Sequence, residues 1–157
     1  MDKQYIASEY RRLHAASKFS GGCLKLYISE VRELIKKYDC KTILDYGCGK
    51  ALYHDKAKLG KVTLYDPYYD PYSKKPEGKF DIVICTDVME HIPMEDIENT
   101  INELIGYTNK VLFLSICTKP ANKRFANGKN VHLTIRPEFW WEIFFKDTPI
   151  KIVRHYT

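Results

Sequence analysis

Apolar residues recur along the chain in two alternating rhythms. Residues 24–37, "LKLYISEVRELIKK", put Leu24, Tyr27, Ile28, Val31, Leu34 and Ile35 on one stripe at helical spacing. A short β-rich run, "TILDYGCG", follows and ends in glycines. "KVTLYD" is a second such run, reached after about a dozen residues with room for one helix. "KFDIVICTDV" is nearly continuous in its apolar character, as a strand buried on both faces requires. "PMEDIENTINELIGY" predicts a helix with Ile97, Ile101, Leu104 and Ile105 inward and acids in its first turn. "KVLFLSIC" predicts a fourth strand. Residues 118–130 predict a polar loop, "RPEFWWEIFFK" a helix with Pro137 near its first position, and "IKIVRHY" a closing strand. Alternation of strand and helix predicts an α/β fold with a mainly parallel sheet and helices on both faces.

Length and composition narrow the class. A chain of 157 residues suits one domain with a single core, here residues 1–40 as a helical segment and 41–157 as the α/β core. Hydrophobic content of 45%, charge of 29% and 13% aromatics describe an ordinary globular composition. No apolar run approaches the ~20 residues of a membrane span. The charged start "MDKQYIASEYRRLHAASKF" lacks the apolar core of a signal peptide, so a cytoplasmic protein is expected. Cys23, Cys40, Cys48, Cys85 and Cys117 are odd in number and form no C-x-x-C pair, which argues against a disulfide framework or zinc ribbon. Cys48, Cys85 and Cys117 stand at or near strand ends, as buried or site-lining thiols. Net charge is +5, and the basic pairs Arg11-Arg12, Lys36-Lys37, Lys74-Lys75 and Lys123-Arg124 are scattered. Nothing there gathers into a dedicated nucleic-acid surface.

Candidate chemistry begins at "ILDYGCGKA", where Asp45, Gly47 and Gly49 fall between the first strand and the first helix of the core. Ligands of open α/β sheets bind at this end of the strands, and glycines let them lie against bare backbone. Asp66, at the end of the second strand about 20 residues on, suits a ribose diol, because a carboxylate accepts from both hydroxyls.

These residues, with "LYDP", "FDIVICTDVMEHI" and "KVLFLSI", resemble the successive landmarks of class I S-adenosylmethionine (SAM)-dependent methyltransferases over roughly residues 22–157. "DVMEH" before a helix is similar to the small-molecule O- and C-methyltransferases. The resemblance implies a Rossmann-like domain that uses SAM. Gly47, Cys48 and Gly49 would line its methionine part, with Asp45 holding the turn or the amino group. Asp66 would bind the ribose, Pro67 and Tyr68 would lie beside the adenine, and Thr86 and Asp87 would lie near the sulfonium. An N-terminal helix often folds over the cofactor in such proteins.

Two positions depart from the family pattern. Ala51 stands where a third glycine is usual. Between Asp66 and Phe80 the chain has no room for the customary helix and strand, and Pro67, Pro71 and Pro76 stiffen it, so a trimmed sheet is expected. "DPYYDPY", residues 66–72, resembles the Asp-Pro-Pro-Tyr of DNA amino-methyltransferases, but it follows the strand whose acid serves ribose. The position facing the methyl group belongs to "CTDVMEH", so order along the chain argues against a DNA amine.

For proton removal the candidates are His91 and His132, histidine having a pKa near neutrality. Alternatively His91 orders the start of its helix. Asp87-x-x-Glu90-His91 with His132 also resembles the metal cluster of the small-RNA 2′-O-methyltransferases, a reading in which a divalent ion binds; no residue is assigned as a metal ligand. Asn122, Lys123, Arg124 and Asn127-Gly128 form a basic loop suited to a carboxylate or phosphate on an acceptor, or simply a solvated one. The expectation is methyl transfer from SAM to a small molecule at O, N or C. Alternatives are a SAM-binding sensor or subunit without transfer, and a nucleic-acid methyltransferase.

Overall fold

A computed structural model describes residues 1–16, 18–146, 148 and 150–157. Five parallel strands form one sheet in the order β2-β1-β3-β4-β5: β1 Ile43–Tyr46, β2 Val62–Tyr65, β3 Phe80–Thr86, β4 Thr108–Ile116 and β5 Lys151–Tyr156. Adjacent strand positions send side chains to opposite faces, and the apolar runs of β3 and β4 use both. Ile82, Ile84, Val111 and Phe113 pack with Leu24, Val31 and Leu34 of helix α2 (Leu24–Lys37). Val83, Cys85, Leu112 and Leu114 pack on the other face with Ile97, Ile101 and Leu104 of α4 (Ile97–Tyr107), joined there by Trp141. Trp141 belongs to a short helix, α5 (Glu138–Glu142), begun after Pro137 and continued by one 3₁₀ turn.

The trimmed connection is real. Residues 66–79 pass from the edge strand β2 across β1 to β3 with no regular element except a 3₁₀ turn at Asp70–Tyr72. Two strand spacings amount to about 10 Å, well within the reach of that many extended residues. The helix expected between β1 and β2 shrinks to a single turn, α3 (His54–Ala57).

An N-terminal helix, α1 (Lys3–Ala15), forms a third layer over the carboxyl ends of the strands. Its buried Ile6, Tyr10 and Leu13 pack with Phe125 and Val131 from the loop after β4 and with the half-buried Tyr68. The Tyr10 hydroxyl donates to the carbonyls of Val131 at 2.8 Å and His91 at 3.0 Å. The single hydroxyl proton is shared between the two carbonyls, and such a bond in a buried setting stabilises by about 1 kcal/mol. Among the described residues no helix is long and apolar enough to cross a membrane.

Candidate functional site

The turn after β1 is held from β2: the amides of Gly47 and Cys48 both donate to the Tyr65 carbonyl, at 2.7 and 3.1 Å. Gly47 and Gly49 adopt φ of +79° and +55°, which residues with a Cβ avoid. A side chain at Gly47 would collide with Val88, and one at Gly49 would reach within 2.9 Å of the Gly21 amide. The two glycine segments, 21–22 and 47–49, therefore meet backbone to backbone. Ala51 also lies in the left-handed region, at φ +51°, so alanine in the third glycine position carries strain.

Asp66 is 6% exposed and tied to both flanks. Its Oδ2 accepts from the Gly49 amide at 3.0 Å and its Oδ1 from the Tyr68 amide at 2.9 Å, with His14 Nε2 of α1 3.5 Å away. Burial lowers the His14 pKa, against the pull of Asp66. Asp87 begins the turn after β3 at φ +53°, another strained position and one that aspartate tolerates better than most. Its Oδ1 accepts from the Ser115 hydroxyl at 2.8 Å, and its own amide donates to the Ser115 carbonyl at 2.9 Å.

These groups surround a cavity of about 640 Å³ at the carboxyl ends of the strands. Of the eleven sequence-chosen residues, Gly47, Gly49, Asp66, Pro67, Tyr68, Thr86, Asp87 and His91 line it. Asp45, Cys48 and His132 do not. Asp45 is buried behind the glycine turn, its Oδ2 2.7 Å from His54 Nε2, and burial raises its pKa. Cys48 is buried too, and its thiol is pushed up by burial. His132 packs edge-on against the His91 ring, centroids 4.7 Å apart, and borders a second cavity.

His91 Nδ1 lies 3.0 Å from the Val131 carbonyl, which fixes a proton there and leaves Nε2 as the ring's acceptor. Burial, then the facing His132 ring, pushes His91 down to about 3, so it is neutral at pH 7. Glu90, wholly buried, is pushed up to about 8 by burial and the neighbouring Asp87.

Other lining residues escaped sequence reasoning. Tyr10, His14 and Phe19 come from the N-terminal segment, Tyr46 and Tyr65 from strand ends, and Asn99 and Glu103 from α4. The Ile6, Tyr10, Leu13 spacing of α1 and the paired glycines at 21 and 22 were the available signals. Lys123, from the basic loop, does line the cavity and stacks over Phe19 at 4.7 Å. Asn122, Arg124 and Asn127 lie outside it.

The fold agrees with comparison to known families: residues 6–149 match a family described as "Methyltransferase domain". The chain belongs to that family of methyltransferase domains, and its own parallel sheet is of the Rossmann-like α/β kind. No curated protein and no solved structure gave a significant match.

Proposed function

We propose that residues 1–157 form one SAM-dependent methyltransferase domain acting on a small-molecule acceptor. The observation that carries this reading is the convergence of Gly47, Gly49, Asp66 and Asp87 on one cavity. The residues suit the cofactor: two positive-φ glycines, packed so closely on Val88 and Gly21 that no Cβ is admitted, offer bare backbone to the cavity, and the side chains of Asp66 and Asp87 line the same space.

Asp66 would hold the ribose hydroxyls, since each carboxylate oxygen keeps a lone pair after accepting one amide. Pro67 and Tyr68 would flank the adenine, with Tyr68 already braced by the parallel ring of Tyr10 at 5.2 Å. Gly47 and Gly49 would take the methionine portion, Cys48 and Asp45 shaping their turn from behind. Thr86 and Asp87 would lie by the sulfonium, whose positive charge a carboxylate stabilises. Bound there, SAM supplies a methyl group already activated as an electrophile.

The chain's own work is to align the acceptor, exclude water and accept a proton. α1, through Tyr10 and His14, and the loop carrying Lys123 wall the cavity on one side. His91 presents a neutral ring with Nε2 as acceptor. His132 would act only through that ring, which it contacts. The cytoplasm is the compartment this reading assumes.

A second reading, SAM binding without transfer, draws on the depressed His91, since a base near 3 removes protons weakly. Calorimetric titration with SAM, followed by assay of S-adenosylhomocysteine with fractionated cell extract, separates the two. Turnover with a small-molecule fraction supports transfer. Binding with no turnover in any fraction leaves the sensor reading, and methyl incorporation into RNA or DNA replaces the small acceptor.

A further inference from the structure

The divalent-ion cluster suggested by Asp87, Glu90, His91 and His132 does not assemble as such. Asp87 is engaged by Ser115, and His91 Nδ1 by the Val131 carbonyl. A different set converges instead. Donor atoms of Glu90, Cys117 and His132 all lie within 4.8 Å of one another, just behind the His91 wall of the cavity.

Glu90 carries the second observation. Its Oε1 accepts from the Cys117 amide at 3.2 Å, but its Oε2 is buried with no hydrogen-bond partner. An orphaned carboxylate oxygen in a fully buried side chain is costly and calls for a partner. Cys117 and His132 are half-buried, and both are steadied by one group: the Lys119 carbonyl is 3.6 Å from Cys117 Sγ and 2.6 Å from His132 Nδ1. His132 opens onto the second cavity, of about 400 Å³, which offers an ion a route in.

We propose that Glu90, Cys117 and His132 form a binding site for a divalent transition metal of the zinc type. One thiolate, one imidazole and one carboxylate are a borderline-soft set that suits Zn²⁺ or Co²⁺ and not Mg²⁺. Three protein ligands leave a fourth position for water or a further ligand. Donors of a tetrahedral site with bonds of about 2.0–2.3 Å stand roughly 3.5 Å apart, so a closure of at most about 1.3 Å suffices. On binding, Cys117 loses its thiol proton and Glu90 its carboxyl proton, both to solvent, and the freed sulfur and carboxylate oxygen bond the metal. The ion ties the turn after β3 to the loop after β4, and so fixes the wall that carries His91. The site stands whether or not the cavity transfers methyl groups.

The test is titration of the metal-stripped full chain with Co²⁺, read by absorption, with Zn²⁺ as competitor. One Co²⁺ per chain with a thiolate-to-cobalt charge-transfer band, displaced by Zn²⁺, is expected. Zn²⁺ should also raise the thermal midpoint. Cys117→Ser should abolish the band, and His132→Gln should weaken binding by at least about tenfold, as loss of even an outer partner of a metal site does. Both side chains are half-buried, and circular dichroism verifies that each variant is folded. Absence of Co²⁺ binding, a spectrum without the thiolate band, or equal affinity in both variants overturns the proposal.

Discussion

The carboxylate of Asp66 accepts the Gly49 amide at 3.0 Å, so the end of β2 and the turn after β1 are one hydrogen-bonded unit. The residue proposed for the ribose is thus also the residue that sets the glycine turn. Asp66→Ala removes a charged acceptor from two amides, each such bond contributing roughly 1.5–3 kcal/mol. SAM affinity should fall about 10- to 100-fold by calorimetry. Unchanged affinity would place the ribose elsewhere.

The backbone of the turn predicts opposite outcomes for neighbouring substitutions. Gly47→Ala forces a Cβ into the left-handed region and against Val88, so it should destabilise by at least about 1–2 kcal/mol and weaken SAM binding. Ala51→Gly relieves the strain at φ +51° and should stabilise by roughly 0.5–1 kcal/mol, after glycine's own entropy cost. Urea unfolding of both variants gives the signs. A destabilised Ala51→Gly would show that the methyl group packs better than the strain costs.

Much of this architecture was legible. β3 and β4 have nearly continuous apolar runs because both sheet faces are covered, and the Leu24–Ile35 stripe is long enough to declare a helix. Asp66 and the glycines stood out because their chemistry depends on residue type at a strand end. Three things were not visible. α3 is a single turn, which leaves no periodic pattern. The roof over the cavity is made by α1 and the loop after β4, joined through Tyr10, His91 and Val131 across separations of 81 and 121 residues. His132 stood as a second candidate base, but the loop after β4 carries it behind His91 and toward Cys117, a neighbour no motif announces.

His14 gives a pH prediction. Burial holds its pKa below the ordinary value of 6.5, so the unfolded chain binds the proton first as pH falls. Its contribution to stability is complete above about pH 6.5 and is lost as pH drops through the folded value. Thermal midpoints should therefore decline on acidification below about 6.5, and His14→Gln should flatten that decline. Parallel profiles for the two proteins would assign the acid sensitivity to other groups.

Tyr10 tests the roof. Tyr10→Phe keeps the ring packed on Tyr68 and Phe125 but removes the hydroxyl shared between the Val131 and His91 carbonyls. A loss of about 1–2 kcal/mol in urea unfolding is expected, with faster proteolysis between α1 and α2. Proteolysis unchanged beside a lowered stability would mean that the hydroxyl supports the core and not the cover.

The two histidines should separate kinetically. His91 lines the cavity, whereas His132 reaches it only through the His91 ring. With an acceptor in hand, His91→Ala should lower kcat by about 10²–10⁴ if its Nε2 takes the proton, and leave KM for SAM near the parent value. His132→Ala should change kcat less, and should shift the pH profile instead, because removing the facing ring lets the His91 pKa rise from about 3. Activity would then fall at low pH, where the freed His91 takes up a proton and no longer accepts one. Equal losses in the two variants would mean that the pair acts as one unit. An undiminished kcat in His91→Ala would move proton removal from the protein to solvent, leaving alignment against the glycine turn as the chain's whole contribution.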